Sequence, residues 1–147
     1  MYLRFSISSL LGVFISSNYR LTKLPQEMGC LPQLEYISCS YNHICSIDPS
    51  IGKLRHLREL KLASNKFKLF PEELFPLRGL QLIDLSKNHI SHIPSGIGRM
   101  KVRIVELYKT RDISKAASCR LLTKNPTLIK ISVGHYRAYR LQRHHLQ

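Results

Sequence analysis

The chain of 147 residues predicts an α/β solenoid: a superhelix of short coils, with a parallel concave sheet and a convex side of irregular or short-helical segments. Three observations carry this. Asn42, Asn65 and Asn88 stand 23 residues apart. Around them the apolar residues recur at the same offsets: Leu34, Ile37, Cys39, Ile44, Ile47, Ile51 and Leu54; then Leu57, Leu60, Leu62, Phe67, Phe70, Leu74 and Leu77; then Leu80, Ile83, Leu85, Ile90, Ile93, Ile97 and Met100. Pro49, Pro71 and Pro94 fall late in the three units. A period between 20 and 29 residues is the mark of a solenoid.

Each part of the unit has a physical reason. The first three apolar positions suit a short strand with alternate side chains turned inward. The chain must then bend sharply, leaving backbone N–H and C=O groups inside. An asparagine side chain offers both donor and acceptor, and so satisfies groups in its own coil and the next. A leucine there would orphan them at about 1–3 kcal/mol each. The later apolar positions return the segment to the core, and the prolines disfavour continuous helix there.

Residues 80–94, LQLIDLSKNHISHIP, and their counterparts resemble the leucine-rich repeat family in its 23-residue, intracellular-type form. The family pattern is Leu-x-x-Leu-x-Leu-x-x-Asn-x-Leu, then x-x-Leu-Pro and two more apolar positions. The resemblance covers about residues 13–102 and implies a right-handed superhelix that binds protein partners.

Both ends depart from the pattern. Leu21, Leu24, Pro25, Met28 and Leu31 supply the second half of a first unit, with Val13–Ile15 as its strand. Asn18 precedes Leu21 by three residues instead of two, so that unit is expected to be irregular or out of register. Downstream, Val105, Leu107 and Ile113 suit a fifth strand and turn, with the asparagine place near Arg111 and one residue missing. Leu128, Ile131 and Val133 suit a sixth strand, with Tyr136 in the asparagine place. The organisation is therefore a lead-in over 1–12, repeats over 13–102, degenerate terminal repeats over 103–134 and a basic tail over 135–147. Two readings of 103–134 stand open: coils that cover the end of the core, or a variant end that does not pack.

Composition agrees with a folded domain, at 44% hydrophobic residues. The apolar run after Arg4 reads as an entry strand, against a weak signal peptide that would make the protein secreted. It is too short to span a bilayer. Cys30, Cys39, Cys45 and Cys119 show no Cys-x-x-Cys spacing and no cluster of the kind that caps extracellular members of the resembled family. Core or free thiols in the cytoplasm follow.

The formal charge is +14 and lopsided: residues 1–98 hold 11 Lys/Arg against 7 Asp/Glu, residues 99–147 hold 12 against 2. Arg137, Arg140 and Arg143 recur every three residues in the tail; the alternative function is a basic adaptor that contacts nucleic acid or an anionic membrane through residues 99–147, against a basic end that simply stays solvated.

No feature points to catalysis, a cofactor or a metal. Gly52, Gly79, Gly96 and Gly98 lie in returns and no glycine-rich phosphate loop appears, no Gly-x-Ser-x-Gly is present, His89 and His92 share a turn, and Glu72-Glu73 reads as a solvated pair. The expected working surface is the concave sheet. Tyr36, Glu59 and Leu82 form one row; Ser38, Lys61 and Asp84 a second; Tyr41, Ser64 and Lys87 a third. Arg58 joins this face, and Ser86 is expected to point out onto it. Aromatic anchors with mixed charges suit a partner protein, itself unidentified by the sequence, as is the oligomeric state.

Overall fold

In a computed structural model the described residues are 6–8, 12–17, 20–107 and 128–130. Seven strands of three residues form one sheet in chain order: β1 (Ser6–Ser8), β2 (Val13–Ile15), β3 (Tyr36–Ser38), β4 (Glu59–Lys61), β5 (Leu82–Asp84), β6 (Ile104–Glu106) and β7 (Leu128–Lys130). β1 runs antiparallel to β2, and every later pair is parallel. The return segments carry 3-10 turns at Gln26–Cys30, Pro49–Lys53, Glu72–Leu74 and Ser95–Arg99. Proline opens or precedes all four, so the convex side is short-helical as expected. In the second, the Asp48 carboxylate accepts the Ser50 N–H at 2.8 Å, and the Ser50 side chain followed by this N–H holds its pKa below the ordinary 3.8. That contribution is present above about pH 3.8 and is lost as pH falls below it.

All 24 of the recurring positions in the three regular units are buried, and the 21 apolar ones form one continuous core with Phe14, Leu24, Met28, Val102, Val105 and Leu107. Phe70 and Phe75 stack at 5.9 Å between ring centroids on the convex side. The sheet needs this arrangement, since a single coil cannot cover its own apolar side.

The asparagines close the bends, reaching a different way from the expectation. Asn65 Nδ2 donates to the carbonyls of Leu62 (3.0 Å) and Ala63 (3.3 Å) in its own coil and of Cys39 (2.9 Å) in the coil before. Its Oδ1 accepts the Ile44 N–H of that earlier coil at 3.0 Å. Asn88 repeats this on Leu85, Ser86, Leu62 and the Phe67 N–H. Asn42 does so on Cys39, Ser40, Ser16 and the Leu21 N–H. Each amide thus ties its coil to the preceding one, not the next, because the bend of coil n packs against the bend of coil n−1. The residue before each asparagine (Tyr41, Ser64, Lys87) takes a left-handed backbone, φ 54° to 58°. The turn that swings the amide inward therefore carries a strained residue at about 1–2 kcal/mol.

At the ends two features differ from the sequence reading, and the expected missing residue is located. The first unit is in register on both sides of residues 18–19. Val13 pairs with Tyr36, and the Leu21 N–H reaches Asn42 as Ile44 reaches Asn65. The displaced Asn18 therefore does not shift the frame. Between the fourth and fifth coils the frame does slip: Leu82 pairs with Ile104, 22 residues on. The missing residue lies between Met100 and Val102, where Leu77 and Leu80 have two residues between them and the later pair has only Lys101. In β7 it is Ile129, not Ile131, that stands opposite Val105, because the strand starts two residues earlier than expected. Ile113, Tyr136 and the tail arginines lie outside the described residues. Among the described residues no helix is long and apolar enough to cross a membrane.

Candidate functional site

Every central strand buries its middle residue and turns the two flanking residues out. The parallel register then stacks the outward residues. One row runs Val13, Tyr36, Glu59, Leu82, Ile104; the other runs Ile15, Ser38, Lys61, Asp84, Glu106. The sequence reading found the middle three of each row and missed the ends. Val13 and Ile15 extend the same face at the 23-residue offset, whereas Ile104 and Glu106 join it 22 residues after Leu82 and Asp84, past the slip in the frame.

A second set of bonds holds the entry to each strand. The carbonyl of Glu35 accepts the N–H of both Arg58 and Glu59 (2.8 and 3.1 Å), and Arg58 does the same for Gln81 and Leu82. Gly12 and Gln81 repeat it at the two ends. This carbonyl ladder has no side-chain signature, so residue types do not reveal it. Together with the asparagines it fixes both ends of each strand.

On this frame the side chains interlock. Lys61 Nζ sits over the Tyr36 ring, 5.2 Å from its centroid, and 3.9 Å from the Glu59 carboxylate. Polar interaction with the Tyr36 side chain, then the charges of Glu59 and Asp84, raise the Lys61 pKa above 10.5, so its ammonium is charged at any physiological pH. Arg58 pairs with Glu35 at 3.2 Å on the approach to β4. Lys87 lies over the ring of Tyr41 at 6.0 Å, spanning two coils, and Tyr41 is 55% exposed. Ser86 departs from expectation: it is fully buried, and its hydroxyl has no hydrogen-bond partner. Its N–H instead meets the Asp84 carboxylate at 2.9 Å.

On the flank opposite the carbonyl ladder, Cys45, Phe67, Leu69, Phe70, Glu72, Glu73 and His92 line an open groove of about 360 Å³. Leu69 is 69% exposed there, where the neighbouring coils carry Ser46 and His92. Among the described residues no three His, Cys, Asp or Glu side chains come together to hold a metal ion.

The cysteines give a sharp test of burial. Cys39 is fully buried and its thiol is pushed up to about 12 by desolvation, while Cys30 and Cys45 are exposed and free. Iodoacetamide at pH 8, followed by peptide mass mapping, is expected to label Cys30 and Cys45 in the native protein and Cys39 only in denaturant. Because the folded thiol holds its proton more tightly, this group subtracts stability as pH rises above about 9. Native labelling of Cys39 would contradict the packing.

A family model described as Leucine Rich Repeat matches residues 33–54 and 79–100. These coils are leucine-rich repeats. A leucine-rich repeat and calponin homology domain-containing protein of Drosophila melanogaster is 44% identical over 62 residues, 42% of this chain and 8% of that protein. An adenylate cyclase of Schizosaccharomyces pombe is 33% identical over 58 residues, 39% of this chain and 3% of that one. The matched part of the chain thus spans less than a tenth of either curated relative. Among solved structures, a leucine-rich repeat protein of Leptospira interrogans superposes with TM-score 0.62 at 28% identity, covering 78% of this chain and 30% of its own. The leucine-rich repeat ectodomain of the Arabidopsis thaliana receptor kinase GASSHO1/SCHENGEN3 gives TM-score 0.53 at 31% identity, covering 68% of this chain and 14% of its own. The leucine-rich repeat fold supports a protein-interaction module in general.

Proposed function

We propose that this chain is a non-catalytic scaffold or adaptor that binds a protein partner through its concave strands. The observation that carries it is the interlocked pair of rows, in which Tyr36 and Lys61 are held in place by each other and by Glu59 on a sheet fixed at both ends. A surface ordered before contact loses little side-chain freedom on binding. Aromatic anchors ringed by mixed charge are the composition of interaction hot spots. The Arabidopsis ectodomain was solved in complex with CASPARIAN STRIP INTEGRITY FACTOR 2, which supports a partner-binding role for such repeats. Three free cysteines among the described residues support a reducing compartment, the cytoplasm.

Affinity capture with the full chain, followed by titration of the captured partner, tests this. Tyr36→Ala and Lys61→Glu are each expected to weaken binding about 30-fold, the size of a hot-spot loss near 2 kcal/mol. Their melting temperatures should match the parent. Undiminished binding in both variants removes the concave face from the account.

A further inference from the structure

The chain passes from the convex side to the sheet through four equivalent described segments. The first, 30–35, carries Glu35 and no Lys or Arg, and the basic ones are the later three, 53–58, 76–81 and 99–103. Their apolar residues, from Leu54 to Val102, are all core. What remains outside is basic: Lys53, Arg55, Arg78, Arg99, Lys101 and Arg103 are exposed, and these three segments contain no acid. Arg58 also lies here, but it is paired with Glu35. Arg55, Arg78 and Lys101 hold the same place in successive coils, each between two core residues: Leu54 and Leu57, Leu77 and Leu80, Met100 and Val102. The coils touch backbone to backbone at this edge, since a Cβ on Gly79 would come within 2.8 Å of the Arg55 carbonyl oxygen. The flank across the sheet is less basic: segments 20–25, 43–48, 66–71 and 89–94 hold Arg20, Lys23, Lys66 and Lys68, against Asp48.

We propose that this flank docks on an anionic phospholipid bilayer. The patch is rigid, because the carbonyl ladder fixes the backbone beneath it. It is short, two strand spacings or about 10 Å along the solenoid axis, and broad across each segment. A short, broad array of four to eight cations fits a flat anionic surface. A single-stranded nucleic acid calls instead for a long groove with aromatic platforms, and these segments hold no Phe, Tyr or Trp. The inference concerns a surface apart from the concave face and stands independently of what that face binds.

Sedimentation with phosphatidylcholine vesicles carrying roughly 30% phosphatidylserine tests it, using the full chain at low salt. The parent should bind these vesicles, leave them at about 0.5 M salt, and ignore pure phosphatidylcholine. Reversing Arg55, Arg78 and Lys101 to glutamate should lower partitioning by about tenfold or more, given the strength of each cation near such a surface. Reversing Lys23, Lys66 and Lys68 makes the same charge change on the other flank and should lower it by less than about threefold. A glutamine set at Arg55, Arg78 and Lys101, with melting curves for every variant, separates lost docking from lost folding. Equal losses from both reversals would assign binding to overall charge or to the basic tail and overturn the proposal. So would parent chain that ignores phosphatidylserine. So would a flank that holds short oligonucleotides while its reversal leaves vesicle binding intact.

Discussion

Replacing Asn65 by leucine is expected to lower stability by about 3 kcal/mol. The side chain removed is buried and makes four hydrogen bonds, three as donor and one as acceptor. Leucine fills the volume but orphans the Ile44 N–H and takes one of two amide donors from the carbonyls of Cys39 and Leu62, which keep Asn42 and Asn88. The orphaned N–H costs about 1–3 kcal/mol and each lost carbonyl bond about 0.5–1.5 kcal/mol. For a domain of this size the melting temperature should fall by roughly 6–12 °C. Urea unfolding followed by circular dichroism measures it. An unchanged midpoint would mean that the amides do not hold the coils, and the argument for an ordered concave face would go with them.

The second large effect is at Phe67, 1% exposed in the core of the third coil. Alanine there should cost about 3–5 kcal/mol, the sum of lost transfer energy and the cavity left behind. Phe67→Leu, which keeps most of the volume, should cost less than half of that. The Phe67 N–H is the donor to Asn88 Oδ1, so Phe67→Ala and Asn88→Leu act on one bend and should not add. Additive losses in a double-mutant cycle would show that ring and amide support the stack separately.

The core was legible because its signal repeats. Leu60 alone says little, but Ile37, Leu60 and Ile83 at one offset define an inward face. The asparagine bends were legible for the same reason, although their direction was not: the period is the same whether an amide reaches forward or back. Features made of backbone left no trace. The carbonyls of Gly12, Glu35, Arg58 and Gln81 bond because of where the chain lies, not because of their side chains. Ser86 was misplaced because alternation holds only within the three-residue strand, and residue 86 lies beyond it in the bend. Of the candidate site, the middle of each concave row was readable and the ends were not. The outer coils break the pattern, at Asn18 by a displaced amide and at Lys101 by a lost residue. The basic flank was hidden in overall charge until stacking brought Arg55, Arg78 and Lys101 into line.

The backward reach of the amides also gives the molecule a time order. A ribosome delivers the chain from its amino end, and the Ile44 N–H and Cys39 carbonyl emerge before the residue that will complete them. Each bend stays provisional until about one further period has been synthesised, and the arriving asparagine then seals it. The bonds of one bend are thus complete only when the asparagine of the following coil is part of the chain.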